Sequence, residues 1–242
     1  MTASTAHDAA APPSAPRTMA FVLYEGLTLL DLVGPLEVFT ALARFGLGFE
    51  VTVVAANTHP VSTGTPLRVA ADRTFAEVPA PYLLCVPGGE EATLRALADA
   101  PLLDYVRTAS AAAAWTTSVC SGSLILGEAG VLTGRRATTH WMFRDRLTAF
   151  GARPVAERWV EDGDVVTAAG VSAGIDMALH VVERIAGADV ARAIQLGIEY
   201  DPEPPQGPID WAGADVAALA PMATTMVENA LADHPALLAK LR

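Results

Sequence analysis

Short apolar runs interleaved with stretches of helical spacing constrain this chain more than any other feature. The runs cover residues 18–24 (TMAFVLY), 49–55 (FEVTVVA), 83–86 (LLCV) and 115–119 (WTTSV). Runs of this length without polar alternation suit parallel strands covered on both faces. Residues 30–45 repeat apolar side chains at helical spacing, with Leu32, Leu36, Phe39 and Ala43 on one face. Pro35 is read as part of that helix's first turn, where proline is tolerated. Further helices are expected over 90–98, 101–114, 122–129, 139–150, 173–185, 188–200 and 221–232. Gly64-Thr65-Pro66 marks a hairpin within 61–70, and Asp162-Gly163 marks another between 159–160 and 165–168. Residues 201–213 form a proline-rich loop.

Strands alternating with helices predict an α/β fold: one domain, a mostly parallel sheet, helices on both faces. In such sheets the site lies beyond the carboxyl ends of the strands. The loops after Tyr24, Val86 and Val119 therefore hold the candidates.

The balance of 16 basic and 27 acidic residues, a net charge of −11, argues against nucleic acid or an anionic membrane surface as the partner. Two cysteines, Cys85 and Cys120, show neither disulfide density nor metal-ligand spacing. A reducing, cytoplasmic setting and no metal follow as expectations. Residues 1–17 are rich in Ala, Pro, Ser and Thr, lack the marks of a signal peptide and read as a disordered tail. No apolar run approaches the roughly 20 residues of a membrane span.

The stretch Thr117-Ser118-Val119-Cys120-Ser121-Gly122 ends a strand on one cysteine and opens a helix through small residues. That is the physical logic of a nucleophile elbow. A helix N-terminus behind the sulfur is expected to lower the thiol pKa below its free value of about 8.5. The backbone N–H groups of Gly88 and Gly89 are candidates for an oxyanion hole with that of Ser121. Asp31 sits among apolar residues, and two readings stay open: a helix N-cap, or an acid/base group beside the sulfur. His140 is more often structural at a helix start, and Cys85, inside an apolar strand, reads as core.

Five stretches carry a family likeness: LDLVGPLEVF (30–39), CVPGG (85–89), TSVCSGSLILGEAGVLTGRRATTHW (117–141), DGDVVTAAGVSAGID (162–176) and QLGIEYDPEPP (195–205). On these the chain resembles the ThiJ/PfpI superfamily, of class I glutamine-amidotransferase-like fold, and within it the isocyanide (isonitrile) hydratases. The resemblance implies a flavodoxin-like domain over 18–205, followed by a loop and helix over 206–242. It also implies a homodimer, a small-molecule substrate and no cofactor. By the same resemblance Cys120 is the nucleophile of a lyase and Asp31 its carboxylate partner. Ser121 stands where the hydratases have threonine and Val171 where they have isoleucine, so both line the pocket. Glyoxalase-like or amide-hydrolysing members of the superfamily, and a cysteine-based redox or ligand sensor, are the alternatives. Regulators of the AraC type share much of the signature but append a helix-turn-helix, whereas residues 206–242 are few and acidic overall.

Overall fold

The computed structural model describes residues 15–242. Of the tail expected over 1–17, residues 1–14 lie outside the described residues, and Arg17 already belongs to the first strand. The strands in chain order are β1 (Arg17–Val22), β2 (Phe49–Ala55), β3 (Val61–Ser62), β4 (Arg68–Val69), β5 (Arg73–Thr74) and β6 (Leu83–Val86). They continue as β7 (Trp115–Ser118), β8 (Arg136–Ala137), β9 (Arg153–Pro154), β10 (Trp159–Asp162) and β11 (Val165–Ala168). Seven of them form the main sheet, in the order β10-β11-β7-β6-β1-β2-β5. Every pairing in it is parallel except the β10–β11 hairpin. The fold is flavodoxin-like.

The helices are α1 (Leu29–Ala43), α2 (Glu91–Ala96), α3 (Ala100–Ala112), α4 (Gly122–Glu128), α5 (Ala173–Ala186), α6 (Ala188–Gly197), α7 (Ala220–Ala230) and α8 (Pro235–Leu241). α1, α5 and α6 pack together against one part of the sheet, while α2, α3 and α4 pack as a second group. All four residues of β6 are buried, as a strand covered on both faces requires. Met19, Phe21, Leu83, Leu84 and Phe39 are fully buried, and Phe21 and Phe39 meet with ring centroids 5.9 Å apart. Burial of a side chain of that size contributes about 1.5–3 kcal/mol.

Three local expectations are corrected, and one helix is found where none was expected. Pro35 lies well inside α1 rather than in its first turn. It therefore withholds the N–H that would have bonded the Asp31 carbonyl four residues back. Residues Trp141–Phe150 form a 3₁₀ helix, not an α-helix. Their buried side chains, Phe143, Leu147 and Phe150, fall at spacings of four and three and so mimic an α-helical stripe. α6 stops at Gly197, with Glu199 left-handed beyond it. α8 escapes a periodicity reading because seven residues hold too few turns.

β1, β6 and β7 are neighbours, so the loops leaving their carboxyl ends lie side by side. Gly122 permits the closest of these approaches. A Cβ there would overlap the Val86 carbonyl oxygen and stand 2.8 Å from the Pro87 carbonyl. We expect Gly122→Ala to lower stability by about 2 kcal/mol or more in urea unfolding, through overpacking against backbone that has no rotamer to yield. Gly130 has a positive φ but nothing within 4 Å of its Cβ direction, so Gly130→Ala should cost only about 1 kcal/mol. Equal losses in the two variants would show that the approach at Gly122 is not tight.

Candidate active site

Strand β7 runs out at Ser118, and Val119 donates to the Val86 carbonyl at 3.0 Å. Cys120 then takes a left-handed conformation, φ 55°, which costs a non-glycine residue on the order of 1 kcal/mol or more. The turn is held from several sides. The Cys120 N–H is shared between the carbonyls of Ala168 and Ala169, and its own carbonyl accepts the Thr139 hydroxyl at 2.8 Å. Val171 (φ 26°) and Glu90 (φ 49°) are also strained, and both sit in loops against this turn. A β-branched residue with positive φ persists only where its surroundings over-determine it.

The sulfur is sealed: Cys120 is 1% exposed. Burial, and next the neighbouring Asp31 charge, push its thiol well above the ordinary range. The backbone N–H groups of Val171 and Ser121 point at the sulfur and pull the other way without prevailing. This corrects the expectation of a depressed pKa. α4 is seven residues long, and its end cannot outweigh the loss of water around a buried thiolate.

Asp31 lies beside that sulfur, near enough that each group shifts the other's pKa. It is not the cap of α1, a place held by Thr28. Its Oδ2 accepts the Gly88 N–H at 3.0 Å. Its Oδ1 is buried with no hydrogen-bond partner. Burial raises its pKa from 3.8 to about 7, against the lowering effects of the Gly88 N–H and of Cys120. The exposed carboxylate of Glu90 adds to the rise. With Oδ2 occupied as an acceptor, the proton of the neutral acid belongs on Oδ1, the atom left free.

The expected oxyanion hole is not present in its expected form. The Gly88 N–H is engaged by Asp31, and the Gly89 N–H donates to the Ser121 hydroxyl at 3.1 Å. The N–H groups left toward the sulfur are those of Ser121 and Val171. Ser121 Oγ also accepts the Glu90 N–H at 3.2 Å and lies 2.8 Å from Thr93 Oγ1. Thr93 in turn lies 2.9 Å from the Tyr24 phenol, which donates to the Pro87 carbonyl. One proton assignment satisfies the whole chain: Ser121 donates to Thr93, Thr93 to Tyr24, and Tyr24 to Pro87. The Ser121 hydroxyl is thereby committed to holding the Gly89–Glu90 loop.

His140 caps the turn that follows it, its Nδ1 accepting the Met142 N–H at 3.4 Å, and burial lowers its pKa. Cys85 is fully buried and its thiol is pushed up to about 12, as suits a core cysteine. Among the described residues no group of three or more His, Cys, Asp or Glu side chains is placed to hold a metal ion, and no helix is long and apolar enough to cross a membrane.

The sequence profile of the DJ-1/PfpI family matches residues 17–184. The chain belongs to the DJ-1/PfpI family. It is 41% identical over 187 residues to an isonitrile hydratase of Pseudomonas putida, covering 77% of this chain and 80% of that one. A crystal structure of a ThiJ/PfpI family protein from Pseudomonas syringae superposes with a TM-score of 0.77 at 37% identity, over 100% of this chain and 97% of that one. The chain is also 30% identical to an HTH-type transcriptional regulator, CdhR, of Pseudomonas aeruginosa, over 71% of this chain but only 51% of the regulator.

Sequence reasoning on this DJ-1/PfpI chain missed Tyr24 and Thr93. Tyr24 closes an apolar run and so reads as its last core residue. Thr93 lies on a short helix with no periodic mark of its own. The signal available was position: both leave strands whose ends face the elbow.

Asp31 also makes stability depend on pH. Between pH 3.8 and about 7 the folded state keeps a proton that the unfolded chain has released. Stability therefore falls as pH rises through that window, by a few kcal/mol in all, and levels off above it. We expect the melting temperature to fall across this interval relative to Asp31→Asn, which keeps an acceptor for Gly88 but cannot titrate. Parallel melting curves from pH 4 to 8 would mean that Asp31 is already ionised throughout.

Proposed function

We propose that this chain is an isocyanide hydratase, a lyase that converts R–N≡C to the N-substituted formamide. One observation carries the reading: a buried carboxyl with a free oxygen stands against a buried thiol, while the Gly88 and Gly89 N–H groups of the next loop are both engaged. Acyl transfer develops charge on an oxygen and calls for free donors around it. An isocyanide instead takes both the nucleophile and the proton on one carbon, which a single thiol–acid pair serves. The likeness to an isonitrile hydratase points the same way.

The pair reacts once it has shed one of its two protons, from Asp31; the thiol's proton then passes to Asp31 as the sulfur engages, which leaves a thiolate beside the neutral acid. Sγ bonds to the terminal carbon, and that proton passes from Asp31 Oδ1 to the same carbon, giving a neutral thioimidate. Asp31, now a carboxylate, draws a proton from water as the oxygen adds to that carbon, and delivers it to nitrogen. The tetrahedral species then expels sulfur. Its hydroxyl proton returns to the pair as R–NH–CHO leaves. One water is consumed, no electrons are transferred, and covalent catalysis divides the addition into two easier steps. The Ser121 and Val171 N–H groups support the sulfur whenever it carries charge. Val171 and the Gly88–Gly89 turn bound the space in which R must fit. The same reading carries a homodimer, since Leu30 and Val33 stand exposed on α1 beside Asp31, and a cytoplasmic setting.

Cys120→Ala should keep its fold and produce no formamide from a small isocyanide panel followed by mass spectrometry; turnover near wild type would remove the sulfur from the chemistry. Asp31→Asn should slow turnover about 10²-fold, the scale of general acid–base help. A parallel methylglyoxal assay separates glyoxalase-like chemistry. Consumption of methylglyoxal with no formamide from any isocyanide would replace this reading with that one.

A further inference from the structure

The sulfur is 1% exposed, and two surface concavities, of about 460 and 260 Å³, are lined by residues elsewhere, such as Leu36 and Arg44 or Trp159 and Gln195. A substrate must therefore displace something. Glu90 and His140 flank the Cys120 turn: the Glu90 N–H binds Ser121 Oγ, and the His140 ring packs on Gly170, next to Val171. Glu90 opens α2, and His140 opens the Trp141–Phe150 turn. Helix α7 packs on both of these elements, and the segment leading into it, residues 201–219, meets Trp141, the residue after His140, through Trp211.

That segment is built to come away. At its far end the chain is pinned, by Lys240 to Glu128 at 2.7 Å and by Arg146 Nε to the Leu241 carbonyl at 3.2 Å. Among the described residues, by contrast, the hydrogen bonds made by residues 202–219 stay within the segment, as at Gly207, Ala212, Gly213, Val216 and Ala218. Its hold on the site side is one aromatic contact, Trp211 on Trp141 at 6.4 Å between centroids, with Trp141 itself 5.4 Å from the His140 ring. Few buried contacts and no hydrogen bonds to the body mark an element that opens at low cost. The segment and the first turn of α7 also expose Ile209, Trp211, Val216, Leu219 and Met222. Such a concentration of exposed apolar surface marks a binding element. The family profile ends its match at residue 184, so this element lies beyond the part that profile describes.

We propose that residues 201–219, latched by Trp211 on Trp141, form a lid over Cys120 that admits substrates by the size of an apolar group beside the reacting carbon. The substrate class rests on the hydratase reading above; the lid itself does not. The test is alkylation of Cys120, followed by peptide mass spectrometry with iodoacetamide and with the bulkier N-phenylmaleimide. Buried Cys85 serves as the unreactive control. Trp211→Ala should raise the N-phenylmaleimide rate about 10-fold and the iodoacetamide rate by less than about 3-fold, the discrimination that modest changes of pocket size provide. Trp211→Phe should restore the wild-type ratio, and Trp141→Ala should act like Trp211→Ala without adding to it. Unchanged rates in both alanine variants would overturn the lid, and an equal rise for both reagents would overturn its selectivity. In turnover, the ratio of cyclohexyl to methyl isocyanide should move in Trp211→Ala as the alkylation ratio does. Altered alkylation with no isocyanide turned over would leave the lid standing and end the hydratase reading. Turnover with alkylation and substrate ratios both unmoved would do the reverse.

Discussion

Two successive backbone N–H groups hold this site together. Gly88 donates to Asp31 on α1 and Gly89 donates to Ser121 at the head of α4, so one turn after β6 ties the first helix of the chain to the elbow. The turn can do this only as bare backbone. A Cβ at Gly88 would stand 2.7 Å from both the nitrogen and the hydroxyl of Ser121 and 2.8 Å from Asp31 Oδ2. Glycine here is an instruction that three elements meet at a point. The sheet order makes that meeting possible, because β1, β6 and β7 are neighbours and deliver their loops together. The Ser121–Thr93–Tyr24 hydroxyl chain then fixes the distance between them, with every donor used once.

The consequence is a dry site, and dryness governs its electrostatics. A carboxylate and a thiolate side by side, both out of water, would be two unpaired charges, which is prohibitive. Asp31 and Cys120 therefore each hold their protons more tightly than free side chains do. The strained backbone at Cys120 and Val171 orients two N–H groups toward the sulfur, enough to receive charge during reaction but not to create it at rest. A neutral, buried pair of this kind suits an uncharged substrate. Such a substrate brings no charge to be desolvated and sets the proton in motion only when it arrives.

Much of this was legible in the sequence, and the rest was hidden for definite reasons. The main strands and α1 were readable because parallel strands and amphipathic helices impose periods of their own. Cys120 was readable because a strand, one cysteine and a run of small residues permit few shapes. Asp31 stood out as a carboxylate among apolar neighbours, but whether it capped a helix or faced the sulfur depended on a loop 57 residues away. The direction of the thiol's pKa was misread for a related cause. The helix end behind the sulfur is local and visible, whereas the burial that outweighs it comes from elements scattered along the chain. The engagement of the Gly88 and Gly89 N–H groups was hidden in the same way, since their acceptors come from α1 and from the elbow.

This division between local and assembled features also bears on how one scaffold serves many chemistries. The elbow, the Gly88–Gly89 turn and the α1 carboxylate lie within residues 17–184, the part matched by the family profile. Together they settle that a thiol and an acid meet out of water. They do not settle which molecule reaches them, because with the sulfur sealed, access belongs to whatever moves. In this chain the loosest element near the elbow is the 201–219 segment, beyond the residues matched by the family profile and held on the site side by one aromatic contact, Trp211 on Trp141. Reaction type and substrate size are thus written in separate parts of the sequence. Changes in the lid can alter what enters while the proton arrangement beneath it stays intact.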